Sequence, residues 1–377
     1  MKLNKLFILG FALTAALFTS CNNNEDDSTN VVNADTEYKY DLGKDVNRAF
    51  KGLIVDENNQ PLSGVTVKMS GKVTTTNASG VFTLSNVPVK ERFAYLTTEK
   101  AGYLNGSRTL TTHESLNSLK IMMVQPTVYT IQSGVTSTVS HENTSIKFDG
   151  SFVTENGQAY TGSVKVKIVD LPSSDDNVFN KMPGTLLAIN TKGEYKGLET
   201  YGMVNVEMFG SNNQKLQLAS GHKAEITMGI SSVKASYAPQ TMPLWWFDEA
   251  TGVWKEEGFS TKVGNKYVGN VSHFTWWNND YAYTVATLVV IARNYDNSIA
   301  QGVRCTITRQ AGSSGDVLME LGVTGANGTL SVGVPINEVL MFRAYNTDGV
   351  LVHDVELPAS WEMSRIVNVT IPVNNRP

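Results

Sequence analysis

Residues 242–280 have the sequence MPLWWFDEATGVWKEEGFSTKVGNKYVGNVSHFTWWNND, and they show the clearest strand and turn signals of the chain. It holds five of the six tryptophans of the chain. The apolar and aromatic run 243–247 is typical of a strand, and the segment 248–252 has the acidic and glycine residues of a tight turn. The stretch therefore predicts a hairpin followed by a third strand, with the later strand segments at residues 253–254, 267–271 and 272–276.

The tryptophan rings of this stretch are expected either to pack inside the protein or to form a binding surface. Successive side chains of a strand point to opposite faces, so Trp245 and Trp246 are not expected to share one core, and the same holds for Trp276 and Trp277. The outward ring of each pair is expected to pack on a flanking domain. Alternatively, the outward rings form an exposed aromatic surface for sugar rings or a protein partner. The candidate binding surface consists of Trp245, Trp246, Trp254, Trp276 and Trp277.

Composition points to an all-β protein of several domains. The chain has 377 residues, of which 18% are charged, and a formal net charge of −4. This length suffices for about two to four domains, and the weak negative charge indicates no nucleic-acid partner. Beyond residue 20, short alternating segments separated by turn residues are frequent, while long segments with helical periodicity are absent from the sequence.

The sequence contains no recognisable catalytic or metal-binding motif. It has no nucleophile elbow, phosphate-binding loop or HExxH pattern. Asp56 and Glu57 stand together in a predicted turn, where a solvated pair is favoured over Ca²⁺ ligands. No enzymatic activity, metal or cofactor is therefore expected. The five histidines are scattered without metal-ligand spacing; they are His113, His141, His222, His273 and His353.

The N-terminus has the pattern of an export signal. A basic start over residues 1–5 precedes an apolar segment, 6–18, that is too short to span a membrane, and two small residues then precede Cys21. This pattern resembles a bacterial lipobox, although Phe18 replaces the usual leucine. The resemblance implies a signal peptide over residues 1–20 and a lipid on Cys21, which would anchor the chain in a membrane.

The segment after Cys21 is polar and acidic. Residues 22–27 are Asn-Asn-Asn-Glu-Asp-Asp, and residues 21–46 have the composition of a solvated tether. The acidic tract resembles the signal that sends lipoproteins of Bacteroidota to the outer face of the outer membrane; a plain spacer is the alternative. The expected location is the outer membrane, facing the cell exterior. The second cysteine, Cys305, is expected to be a buried thiol without a disulfide.

Residues 47–125 are predicted to form a first β-sandwich. The order of its strands and turns resembles the carboxypeptidase regulatory-like domain. The resemblance implies a transthyretin-like fold that has no catalytic role. The segments that carry the resemblance are residues 50–55, 56–62, 64–69, 76–80, 81–84, 87–88 and 102–103.

Residues 126–280 are predicted to form a central β-sandwich. A long polar loop at residues 171–183 is a candidate recognition element, or else a cover for an open sheet edge. The motifs PLWWFDE (243–249), TGVWKEEG (251–258) and VSHFTWWN (271–278) resemble extracellular β-modules of the cartilage-intermediate-layer-protein type and of Bacteroidota lipoproteins. The resemblance implies a fold and a location outside the cell, but no agreed activity.

Residues 281–377 are predicted to form a third sandwich that repeats the first. The whole chain is thus expected to be a string of three immunoglobulin-like or transthyretin-like sandwiches after a lipoprotein signal peptide. The joints near Gln125 and Asp280 are short, which predicts limited bending. The repeat pairs residues 288–292, 302–307, 324–328 and 334–335 with residues around 53, 64–69, 76–80 and 87–88.

One triplet suggests a covalent reaction of the chain with itself. His273-Phe274-Thr275 resembles the triplets at which some extracellular β-modules cleave themselves by an N→O acyl shift. The resemblance implies Thr275 as nucleophile, His273 as base and cleavage between Phe274 and Thr275. The alternative is that these residues are plain strand residues.

The expected function is that of a non-enzymatic, lipid-anchored cell-surface protein. It would be a structural, adhesive or partner-binding component of the outer membrane, with an envelope protein or a glycan as possible partner. Two alternatives stay open at this point. One is a glycan-binding accessory of a polysaccharide-uptake system, and the other is a module that cleaves itself.

Overall fold

The chain folds almost entirely into β-strands, so the all-β prediction is confirmed. The computed structural model describes residues 42–112, 116–310, 316–325, 328–336, 338–359 and 364–372. Cys21, the predicted signal peptide and most of the predicted tether lie outside these residues. Within them, no helix is long and apolar enough to span a membrane.

The N-terminal sandwich packs two sheets around one core. Its sheets have the strand orders β4-β1-β7 and β3-β2-β5-β6, and β1 pairs with β7 in parallel. Alternate residues face the core, as Phe50 and Ile54 on β1 and Leu96 on β5 do. Strands β6 and β7 lie at the edges of their sheets. The strands are β1 (Asp45–Val55), β2 (Thr66–Met69), β3 (Lys72–Thr75), β4 (Val81–Lys90), β5 (Ala94–Glu99), β6 (Gly106–Leu110) and β7 (Asn117–Met122).

The central region forms one continuous sheet that folds around several cores. Its longest strand, β14, pairs with β12, β13, β15 and β20. The first elements are β8 (Thr127–Gln132), β9 (Ser137–His141), β10 (Thr144–Phe148), β11 (Phe152–Thr154), β12 (Ser163–Leu171), α1 (Val178–Lys181) and β13 (Leu187–Ile189). The remaining elements are β14 (Tyr195–Gly210), β15 (Lys215–Leu218), β16 (Ala224–Gly229), β17 (Thr241–Asp248), β18 (Val253–Val263), β19 (Lys266–Val271) and β20 (Trp276–Tyr283).

The C-terminal sandwich has the same connectivity as the N-terminal one. Its strand orders are β24-β21-β27 and β23-β22-β25-β26, and β21 pairs with β27 in parallel. The strands are β21 (Val285–Asn294), β22 (Arg304–Gln310), β23 (Asp316–Val323), β24 (Thr329–Pro335), β25 (Leu340–Tyr345), β26 (Leu351–Leu357) and β27 (Ser364–Ile371).

Two threonines show how closely the two sandwiches correspond. The Thr76 hydroxyl accepts from the Val65 N–H at 2.9 Å and donates to the Leu62 carbonyl. Thr324 makes the equivalent two bonds, to Val303 at 3.0 Å and to the Ala300 carbonyl at 2.9 Å. Each threonine thus fastens the segment just before β2 or β22 to the turn that follows the next strand, β3 or β23.

Two local predictions need correction. Residues 272–275 were expected to be a strand, but they form a bend between β19 and β20. The side chain of Gln217 bonds both the N–H and the carbonyl of Phe274, at 2.9 and 3.0 Å, and so replaces a partner strand. Residues 171–183 were expected to be a polar loop, but helix α1 lies there, with Val178 and Met182 buried.

Candidate functional site

The tryptophans lie inside the protein and not on its surface. Trp245, Trp254, Trp276 and Trp277 each expose 2% or less of their area, and Trp246 is half-buried. This burial contradicts the alternative that these residues form an exposed aromatic binding surface. The physical reason is that both faces of the sheet are covered here: Trp245, Trp254 and Trp276 lie in one apolar core, and Trp277 lies in another.

Three of these rings build an interface core that joins the N-terminal sandwich to the central sheet. This core places Trp245, Trp254 and Trp276 in one apolar cluster with Leu104 and Val124 of the N-terminal region. The indole nitrogens are satisfied as well. Trp245 donates to the Asp280 carbonyl at 3.2 Å and Trp254 to the Thr185 carbonyl at 2.9 Å, so these two indole N–H groups are not available to a ligand.

The other two rings belong to the central core and surround His273. Trp277 donates its indole N–H to the His273 carbonyl at 2.9 Å, and Trp246 stands edge-on to the His273 ring at 5.0 Å. The Lys255 ammonium lies 5.2 Å from the Trp246 ring centroid. Because Trp246 is covered by a lysine and a histidine, its face is not free to stack on a sugar.

The residues of the predicted self-cleavage have other partners. The imidazole Nε2 of His273 lies 3.3 Å from Glu257, and the Thr275 hydroxyl donates to the Phe247 carbonyl at 3.1 Å. No hydrogen bond joins His273 to Thr275, both of which the structure describes. Neither residue has a positive φ. Cleavage at Phe274–Thr275 stays a prediction.

The remaining sequence candidates are structural. The carboxylate of Asp56 accepts the N–H groups of Asn58 and Gln60 at 2.9 and 2.8 Å, and Glu57 accepts the N–H of Gln125 at 3.2 Å. These bonds close a turn. Within the described ranges, no group of three or more potential metal ligands is present. The thiol of Cys305 is buried, as predicted.

A cleft that the sequence did not suggest lies where the three regions meet. Its volume is about 460 Å³, and residues of β6, β7, α1, β14, β23 and β24 line it. The two edge strands β6 and β7 leave one side of the N-terminal sandwich open. The central sheet and the C-terminal sandwich form the other walls of the cleft.

Arg108 on β6 is the unusual residue of this cleft. It exposes 8% of its area, and its Nη2 atom is buried without a hydrogen-bond partner. Burial lowers the pKa of Arg108 to about 10, and no neighbouring acid opposes this effect. The hydroxyl of Ser173, which also lines the cleft, is likewise buried without a partner.

Strand register explains where the Arg108 side chain points. Arg108 lies directly opposite Leu96, which is fully buried in the core of the N-terminal sandwich, so both side chains share the inner face. The neighbours of Arg108 point the other way. Ser107 accepts the N–H of Gly184 at 3.0 Å, and Thr109 donates to the Gly252 carbonyl at 3.1 Å, so this face of β6 docks on the central sheet.

The other end of the cleft contains a network of paired charges. Glu199 on β14 accepts from Lys234 at 3.0 Å and from Arg309 on β22 at 2.7 Å. Arg309 also holds Glu338 with two nitrogens. Burial alone would lower the pKa of Arg309, but the bonds to Glu338 and the charge of Glu199 raise it above its usual range. These pairs fasten the C-terminal sandwich to the central sheet.

Comparison with curated proteins finds partial relatives. The chain is 31% identical over 119 residues to cartilage intermediate layer protein 1 of Mus musculus, which is 31% of this chain and 10% of that protein. It is 32% identical over 108 residues to the Sus scrofa protein of the same name, 29% of this chain and 18% of that protein. The chain thus spans less than a fifth of these relatives. The predicted resemblance is confirmed to that extent, and no protein-family model matches the chain.

Comparison with solved structures finds bacterial surface proteins at low similarity. The Bacillus anthracis TIE protein aligns over 86% of this chain and 50% of its own, with 12% identity and a TM-score of 0.19. BcpA, the major pilin subunit of Bacillus cereus, aligns over 87% and 99%, with 10% identity and a TM-score of 0.18. Such low TM-scores carry no argument about the fold or function of this chain.

Proposed function

We propose that this protein is a non-enzymatic structural or adhesive component of the cell surface, lipid-anchored through Cys21 to the outer membrane and facing the exterior. The observation that supports this proposal best is the burial of Trp245, Trp254 and Trp276 in the interface core between the N-terminal sandwich and the central sheet. These residues hold two regions of the chain together, which agrees with a structural role. Partial identity to proteins named for a layer of cartilage agrees with a structural role.

Lipid attachment is tested by metabolic labelling with an alkyne fatty acid, followed by coupling of a fluorophore. The two cysteines of the chain supply a matched pair of variants. Wild type and Cys305→Ala are expected to be labelled, and Cys21→Ala is expected to lose both the label and its membrane association. Equal labelling of Cys21→Ala would contradict the anchor.

The structural role is tested by affinity purification of the tagged, full-length protein from gently solubilised outer membrane. We expect envelope proteins to co-purify in stoichiometric amounts, because a component that displays a surface has a partner to engage. A protein that purifies alone under these conditions contradicts the role of an assembly component. The same denaturing gel reports on self-cleavage, since cutting at Phe274–Thr275 would divide the chain into two fragments.

A further inference from the structure

The cleft beside Arg108 has the properties of a binding site for an anion. Taking an arginine out of water without a counter-charge is strongly unfavourable, and an unpaired buried charge destabilises the folded protein. Arg108 has this environment, since its Nη2 is buried without a partner and no acid perturbs it. A fold keeps such a group when a negatively charged ligand supplies the missing partner.

The internal repeat shows that the fold itself does not require an arginine at this position. Leu96 and Phe342 occupy the same place in the two sandwiches, opposite Met69 on β2 and Ile307 on β22. In the N-terminal sandwich, Arg108 on β6 lies directly opposite Leu96. In the C-terminal sandwich, Val355 on β26 lies directly opposite Phe342. Val355 packs against the core of the C-terminal sandwich, as an apolar residue at this position should. Arg108 therefore stands where the C-terminal sandwich has an apolar residue.

The other cations around the cleft already have partners. The Lys120 ammonium donates to Asn59 at 2.8 Å, and Lys234 pairs with Glu199 at 3.0 Å. A ligand that carries one negative charge is sufficient to pair with the Arg108 guanidinium. The buried hydroxyl of Ser173 offers a further polar contact in the same cleft.

The walls of the cleft are mainly apolar. They include Leu110, Leu119, Val178, Phe179, Met182 and Leu198. A volume of about 460 Å³ lies within the range of small-molecule sites, and apolar walls with a few placed polar groups are typical of them. We propose that the cleft binds a small organic monocarboxylate with an apolar or aromatic body, whose carboxylate pairs with the Arg108 guanidinium.

The test is titration calorimetry on the purified full-length chain with 4-phenylbutyrate as the probe. Its amide, 4-phenylbutyramide, has the same shape without the charge, and inorganic phosphate has charge without the apolar body. We expect the carboxylate to bind at least about tenfold more tightly than either, because a charge-assisted bond to a buried guanidinium contributes that much. Equal binding of the amide, equal binding of phosphate, or absence of binding by the carboxylate would each overturn the proposal.

Two variants locate the site. Arg108→Met keeps the apolar stem and removes the charge, so it is expected to abolish binding of the carboxylate and to raise the melting temperature of the ligand-free protein. Lys120→Met removes a cation of the same cleft that already bonds Asn59, and it is expected to leave binding unchanged. If Arg108→Met lowers the melting temperature and retains binding, the arginine is a structural residue and the proposal is wrong.

Discussion

Single residues show how this protein uses its aromatic side chains. Trp254 is fully buried between the two regions, with its ring 5.2 Å from that of Phe247. We expect Trp254→Ala to lower the free energy of unfolding by about 3–5 kcal/mol, the usual cost of removing a large buried ring. Urea denaturation, followed by far-UV circular dichroism, measures this loss. Trp246→Ala is the matched control and should cost much less, because Trp246 is half-buried.

The carboxyl of Asp280 predicts a dependence of stability on pH. Asp280 is fully buried, and its Oδ1 accepts no hydrogen bond. Burial raises the pKa of Asp280 well above its usual range, although nearby Lys234 and Thr200 oppose this shift. Between the ordinary and the raised pKa, the folded state binds a proton that the unfolded state has lost. The free energy of unfolding contributed by this group therefore falls as pH rises through that window.

Replacement of this carboxyl by its amide removes the pH dependence that it causes. We expect Asp280→Asn to flatten the decline of stability that begins as pH rises above the ordinary pKa of an aspartate, and to raise stability at neutral pH. Urea denaturation at several pH values measures both effects. Asp296→Asn is the control: the pKa of Asp296 is lowered by its bonds to Ser298, so this group stays ionised throughout the window. A steeper decline in Asp280→Asn would contradict the assignment.

At the same scale, alternation along the strand was predictable from sequence, but burial was not. Trp245 and Trp276 do face one core, while Trp246 and Trp277 face another, as the opposite directions of neighbouring side chains require. The sequence could not show that both faces are covered, because that depends on which distant segments, such as those of Leu104 and Val124, pack on each face. The burial of Arg108 was not predictable either, since it follows from the pairing of β6 with β5, which places Arg108 opposite Leu96.

At the scale of strands and turns, the central sheet meets the N-terminal sandwich through a close backbone contact that only glycine allows. Gly252 ends the turn between β17 and β18 with a φ of +75°, as the sequence predicted for this turn. A Cβ at this position would lie 2.4 Å from the ring of Tyr95 on β5. Tyr95 in turn donates to the Glu249 carbonyl at 3.0 Å, so this turn is the place where the N-terminal sandwich meets the central sheet.

A pair of glycine variants distinguishes the cost of backbone strain from the cost of losing the contact between the N-terminal sandwich and the central sheet. Gly252→Ala adds both the cost of a positive φ, about 1 kcal/mol, and a collision with Tyr95. Gly258→Ala has a φ of +77° but open space around its Cβ, so it reports the backbone cost alone. We expect hydrogen exchange of β5 and β6 to accelerate in Gly252→Ala and to stay unchanged in Gly258→Ala. Equal protection in both variants would show that the turn does not hold the two regions together.

The two outer sandwiches share one strand order, and their turn residues had suggested a repeat in the sequence. Thr76 and Thr324 make the same hydrogen bonds, because a turn is specified by a few neighbouring residues. The bend at residues 272–275 was missed because the side chain of Gln217, far away in sequence, supplies its hydrogen bonds. Local chemistry was visible in the sequence, and contacts between distant segments were not.

For the whole molecule, the described residues between 42 and 372 belong to a single compact unit. The buried network of Glu199, Lys234, Arg309 and Glu338 explains the coupling at the C-terminal end, and the interface core explains it at the N-terminal end. Short joints suggested limited bending from the sequence. The contacts that hold the three regions together join residues that are far apart in the sequence. The length of a joint therefore does not predict them.

Removal of Arg309 should uncouple the unfolding of the C-terminal sandwich from the unfolding of the rest of the protein. Arg309→Met leaves Glu338 without its arginine partner and Glu199 with Lys234 alone, and breaking such a buried pair costs about 3 kcal/mol or more. We expect the single unfolding transition of the wild type to split into two, with the C-terminal sandwich melting first. Arg304→Met alters an exposed arginine of the same strand that stacks on Tyr345 within its own sandwich, so it should keep one transition. Differential scanning calorimetry decides between these outcomes, and a single unshifted transition in Arg309→Met would mean that the apolar contacts alone hold the three regions together.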